Sequence, residues 1–164
     1  MSRAAVLWEP ELAPTEALFQ EAVEHVARKL GRAKEFPAAP LPDDRAAAVL
    51  VLDTWAGSDV DWRGELRRYY EEHIPVRVRP GAAVNATLRR LHTSGVRLVW
   101  ASPGPAEATE VLLHHLGVAR LIDQVEIATS ASSAASSLRL TDAVLVENGL
   151  DELLALAGET AVPT

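Results

Sequence analysis

The second half of the chain alternates short apolar runs with helical stretches, and this alternation limits the fold more than any other feature. Val96 to Ala101, Val125 to Ala128 and Ala143 to Val146 read as strands. Between and around them lie helices. Pro80-Gly81 opens one in which Val84, Leu88 and Leu91 recur at helical spacing, and Gly95 closes it. Pro105 suits the first turn of another, running through Val111, Leu112 and Leu116 to Gly117. A third spans Leu150 to Ala157. Strands separated by helices imply a parallel sheet with right-handed crossovers. In such sheets the working residues stand at the C-terminal ends of the strands. Ala4 to Trp8 is a further buried strand at the start, so those ends carry Glu9 and Glu11, Ser102 and Glu147.

The stretch between the first strand and Pro80 is helical in pattern. Thr15 is placed to cap a helix that keeps Leu18, Phe19, Val23, Val26 and Leu30 on one face, with Gly31 as its C′ residue. Residues 35–45, with Pro37, Pro40 and Pro42, form a loop. Residues 46–55 are apolar throughout and read as helix, although Val49, Val51 and Leu52 would also suit a buried strand. Asp61 caps a charged helix to His73 with Trp62, Leu66 and Tyr69/Tyr70 as its apolar stripe.

Composition removes several classes of function. Twenty-three acidic against sixteen basic residues leave a net charge of −7, which disfavours nucleic acid or an anionic membrane as partner. With no cysteine there is no disulfide, thiolate metal site or cysteine nucleophile. The basic residues are fourteen Arg and only two Lys, Lys29 and Lys34, so a mechanism that needs a lysine has few candidates. The apolar run before Glu9 is too short for a signal peptide or a membrane span, so a cytoplasmic protein is expected. The histidines His25, His73, His92, His114 and His115 form no metal-ligand pattern, and no Gly-x-Ser-x-Gly, Gly-x-Gly-x-x-Gly or P-loop motif occurs.

Ala5-Val-Leu-Trp-Glu9, the helix from Thr15-Glu16, Arg79-Pro80-Gly81, Leu88 to Leu91, Gly95 to Ser102 and Leu116 to Asp123 together resemble the haloacid dehalogenase-like hydrolase superfamily. The resemblance implies a Rossmann-like α/β core, a parallel sheet with helices on both faces, made of residues 1–11 and 80–164. A small, mostly helical cap of residues 12–79 would be inserted after the first strand. Members are mostly Mg²⁺-dependent phosphatases, with some dehalogenases.

The family's four motifs map unevenly. Its aspartate nucleophile and acid/base correspond to Glu9 and Glu11, each one methylene longer, around a Pro10 that lacks an N–H. A misplacement of about 1 Å can cost on the order of 10²-fold in rate. Ser102 matches the residue that hydrogen-bonds the phosphoryl group, and would equally cap the helix at Pro105. The lysine has no counterpart unless Arg139 substitutes, and a planar guanidinium is a poor stand-in for a point charge. Glu147, with Asn148 and more weakly Asp151, stands where acidic residues would join Glu9 in holding Mg²⁺, or is simply an acidic strand end.

Taken together, these departures describe a haloacid dehalogenase-like protein with decayed motifs, acting as a binding or regulatory module, with no cofactor unless the Mg²⁺ site is retained. An atypical hydrolase using Glu9 and Glu11, and a scaffold subunit, are the alternatives. Trp8 and Trp100, from neighbouring strands, are either core or the walls of a cleft, with Trp55 or Trp62 facing them. Packed solid with no opening above Glu9, they would move function to the outer surface and a protein partner. Arg63, Arg67 and Arg68, and Arg77 with Arg79, are either solvated surface or contacts for an anionic ligand. The serine-rich segment 129–138 reads as a weak helix or loop.

Overall fold

The computed structural model describes residues 3–36 and 40–160, so part of the proline-rich loop, residues 37–39, lies outside the described residues. Four strands form one parallel sheet: β1 (Ala4–Trp8), β2 (Arg97–Ser102), β3 (Gln124–Ile127) and β4 (Val144–Val146), in the order β3-β2-β1-β4. β1 is central, with Leu7 beside Trp100 and Trp8 beside Ala101 on one side and Leu7 beside Val146 on the other. Its residues Ala5, Val6 and Leu7 are all fully buried, which is what a strand covered on both faces requires.

Period-two alternation divides the sheet residues between two cores. Ala5, Leu7, Leu98 and Trp100 point into the larger one, shared with α5 (Ala82–Thr93), α6 (Ala106–Leu116) and α8 (Leu150–Thr160). Val6, Val99 and Ala101 point the other way, onto α7 (Ala131–Ser137). The buried face of α7 is Ala131, Ala134 and Ala135, so this helix approaches closely, and Ser130 caps it by accepting from the Ser133 N–H. The serine-rich segment is therefore a short capped helix.

Between β1 and α5 come α1 (Glu9–Leu12), α2 (Glu16–Leu30), α3 (Arg45–Ala56) and α4 (Trp62–Arg77). Residues 46–55 are thus helical, with Asp44 accepting from the Ala47 N–H at its start. The buried residues Ala48, Leu52, Trp55 and Ala56 recur three and four apart, which a strand could not place on one face. α4 packs along both α2 and α6. Phe19, Leu52, Leu66 and Tyr70 from α2, α3 and α4 belong to the same continuous core as Leu7 and Trp100. Two expected helix signals behave otherwise. Thr15 precedes α2 but its side chain makes no cap, and Gly31 ends that helix with right-handed geometry at φ −63°.

Candidate functional site

Glu9 stands where β1 runs out, as the first residue of α1, and is only 2% exposed. Trp100, one strand away, donates its indole N–H to Glu9 Oε1 at 3.0 Å. Thr15 Oγ1 donates to Glu9 Oε2 at 3.4 Å, which explains why this threonine does not cap α2. The fourth member comes from the insertion. Arg45, the first residue of α3, extends its guanidinium to 3.6 Å from Glu9 Oε2 with its side chain 4% exposed. The same guanidinium donates to Glu16 Oε2 at 2.8 Å, to Thr15 Oγ1 at 3.4 Å and to the Gly104 carbonyl at 3.4 Å, and lies over the Phe19 ring at 4.9 Å. Gly104 presents that carbonyl from a left-handed turn at φ +85°, a conformation that favours glycine.

Electrostatically the cluster is divided. Burial pushes the Glu9 carboxyl above the ordinary glutamate value, and this outweighs Trp100, Arg45, Ser102 and Thr15, which all favour the ionised form. Two buried polar atoms beside the main hydrogen bonds, Arg45 Nε and Tyr70 Oη, have no hydrogen-bond partner among the described residues. Ser102 is fully buried; its hydroxyl is shared with Thr109 Oγ1 at 2.7 Å and accepts from the Gly104 N–H at 3.0 Å. That bond holds the turn before α6. The helix itself starts after Pro105 with no side-chain cap, so Ser102 is not its cap.

The other expected site residues are dispersed. Glu11, two residues beyond Glu9, is exposed. Glu147 and Asn148 are exposed after β4, where Glu152 accepts from the Glu147 N–H at 3.0 Å and from Asn148 Nδ2 at 2.7 Å. Glu152 thereby ties the loop after β4 to the first turn of α8. Trp8 is half-buried on the α7 face, opposite to the face that holds Trp100, so the two rings do not line one cleft. Trp55 donates to the Glu35 carbonyl and Trp62 to Asp53 Oδ1, both at 2.9 Å. Arg139 sits with Arg3 and Ala4 at the opposite end of β1 from Glu9, so it does not replace the missing lysine.

The arginines of α4 are also accounted for. Arg63 pairs with Asp53 and Glu107, Arg67 with Glu71 and Glu110, Arg68 with Glu65 and Arg77 with Glu21. The Glu107 and Glu110 pairs tie α4 to α6 rather than presenting charge to an anionic ligand.

These residues do not fit Mg²⁺. The ion needs several oxygen donors in near-octahedral order. Here both Glu9 oxygens already have partners, a guanidinium stands beside them, and no three acidic or histidine side chains among the described residues converge as a metal site.

Arg45 is the residue that sequence reasoning missed. The signal was present but faint: a lone arginine opens an otherwise apolar helix, where a cation opposes the helix dipole and needs a partner elsewhere.

Solved structures place this architecture. CbbY from Rhodobacter sphaeroides, in complex with phosphate, superposes with a TM-score of 0.54 at 18% identity, over 99% of this chain and 84% of that one. A candidate β-phosphoglucomutase from Thermotoga maritima gives 0.50 at 15% identity, over 95% and 82%. The fold is that of the haloacid dehalogenase-like hydrolases. A haloacid dehalogenase-like family hydrolase from Xanthomonas campestris gives 0.46 at 14% identity, over 94% and 79%. No family model matches the sequence, and no curated protein matches it. Among the described residues no helix is long and apolar enough to cross a membrane.

Proposed function

We propose that this chain is a non-catalytic protein on the haloacid dehalogenase-like hydrolase fold, a cytoplasmic binding or regulatory module. Its insertion, residues 12–79, acts as a cap fixed shut on the strand ends. The observation that carries the reading is the buried Arg45 guanidinium lodged among Glu9, Thr15, Glu16 and Gly104. A nucleophilic carboxylate has to reach its target at about 3–3.5 Å. Glu9 is instead enclosed, hydrogen-bonded through both oxygens and shifted toward its neutral form. With Ser102 and Trp100 fully buried beside it, this carboxyl is closed to the phosphorus of a phosphate ester. Recognition therefore lies elsewhere on the molecule, and the net charge of −7 favours a partner other than nucleic acid or an anionic membrane.

The test is steady-state hydrolysis of a generic phosphate ester with Mg²⁺ by the full chain. Turnover at background, equal in wild type and Glu9→Gln, is expected. A Mg²⁺-dependent rate that disappears in Glu9→Gln would overturn the reading.

A further inference from the structure

The Trp100 ring that donates to Glu9 also borders a cavity of about 270 Å³. The cavity lies where the chain enters and leaves the insertion, at Ala13-Pro14 on one crossing and Val78-Arg79 on the other, against the start of α5 and the end of α6. Its walls are apolar: Leu12 and Val84 are half-buried and face its open part, while Leu88, Val118 and Trp100 behind them are closed to water. Asn85 also borders it, but its amide N–H is spent on the Leu116 carbonyl at 2.8 Å.

The charge at this cavity is one-sided. No acidic residue borders it, whereas Arg77 and Arg79 do. Arg77 is paired with Glu21, but Arg79 is exposed and has no partner among the described residues. Beside them α5 opens at Gly81 with no side chain capping its first N–H groups, and such a helix start favours negative charge. In a chain of net charge −7, this is a locally positive mouth over an apolar chamber. We propose that the cavity binds a small apolar carboxylate, its hydrocarbon part against the half-buried Leu12 and Val84 and its carboxylate on the exposed Arg79. A monoanion matches the Arg79 guanidinium, which has no partner among the described residues, whereas a doubly charged phosphate would lose its water against apolar walls without enough donors.

The proposal rests on the binding-module reading only in placing recognition away from Glu9. Binding is read without turnover, so a chain that hydrolyses phosphate esters and a chain whose cavity takes no carboxylate are separate failures. The experiment titrates hexanoate, and 1-hexanol as its uncharged counterpart, into the wild-type chain. Heat and tryptophan emission are followed in parallel with Arg79→Gln and Val84→Phe. Both substitutions are at positions with some exposure, and circular dichroism confirms that each variant folds. Hexanoate should bind more tightly than hexanol, weaken roughly tenfold in Arg79→Gln, and be lost with hexanol in Val84→Phe, which fills the chamber. No saturable hexanoate binding, binding that survives Val84→Phe, or equal affinity for the two probes would overturn the proposal.

Discussion

Two buried glutamates in this molecule are held in opposite ways. Glu9, at the end of β1, is 2% exposed and has one cation nearby; Glu65, on α4, is 5% exposed and has two, Lys29 at 2.9 Å and Arg68 at 3.3 Å, with the His25 Nε2 also at 2.9 Å. Burial dominates at Glu9 and raises its carboxyl above the ordinary value. At Glu65 the hydrogen bond from Lys29 comes first, then His25, and the carboxyl is held below it despite its burial. Similar solvent exposure thus gives one glutamate tuned toward neutrality and another fixed as an anion. The cations decide the difference: those around Glu65 reach in from water, while Arg45 is itself buried and shared with Glu16.

Removing one cation from each glutamate should separate the two most widely. Arg45→Met leaves Glu9 enclosed without its counter-charge, and breaking such a pair costs about 3–5 kcal/mol in urea unfolding. Lys29→Met leaves Glu65 with His25 and Arg68. Because Lys29 is half exposed and screened by solvent, its loss should cost under about 1 kcal/mol. Equal losses would break the distinction.

The pH dependence of stability should carry opposite signs. A carboxyl raised in the folded state contributes fully at acid pH, and that contribution is lost as pH climbs through the raised value. Wild type should therefore gain on Glu9→Gln as the solution is acidified. A lowered carboxyl does the reverse: its contribution is complete above the ordinary value and is lost as pH falls through the lowered one. Wild type should therefore lose its advantage over Glu65→Gln on acidification. Urea midpoints across acid to neutral pH check both, and parallel profiles would contradict the account.

The smallest effect belongs to Tyr70, buried beside the Arg45 cluster with a hydroxyl that has no hydrogen-bond partner among the described residues. Tyr70→Phe removes an unsatisfied polar group, so stability should stay level or rise by up to about 1 kcal/mol. A clear loss in calorimetry would show that the hydroxyl has a function in the cluster.

How far the sequence could be read follows from where information is local. Strand positions were legible because Ala4 to Trp8 is an unbroken apolar run and Val96 to Ala101 is apolar except for Arg97, and the observed strands match within a residue. The capping role of Asp61 was legible because a side chain and its own turn decide it. Glu9 as the strand-end carboxylate followed from the sheet. What surrounds it did not, because Arg45 and Trp100 lie 36 and 91 residues away and nothing local announces them. The separation of Trp8 from Trp100 was missed for another reason. Both lie near strand ends, but register pairs Trp8 with Ala101, and strand alternation turns neighbours to opposite faces. At Glu147 and Asn148 the sequence did not announce that Glu152, five and four residues on, accepts from the Glu147 backbone N–H and from Asn148 Nδ2.

Thermal unfolding of the full chain shows whether Arg45 and burial close Glu9 to phosphate and Mg²⁺ alike. It is measured with millimolar Mg²⁺ and inorganic phosphate, in wild type and Glu9→Gln. A ligand raises stability only when its concentration exceeds its dissociation constant, so a closed site should give the same midpoint with and without both ions. A rise of many degrees in wild type that is lost in Glu9→Gln would mean that the carboxyl is open and that Arg45 does not seal it.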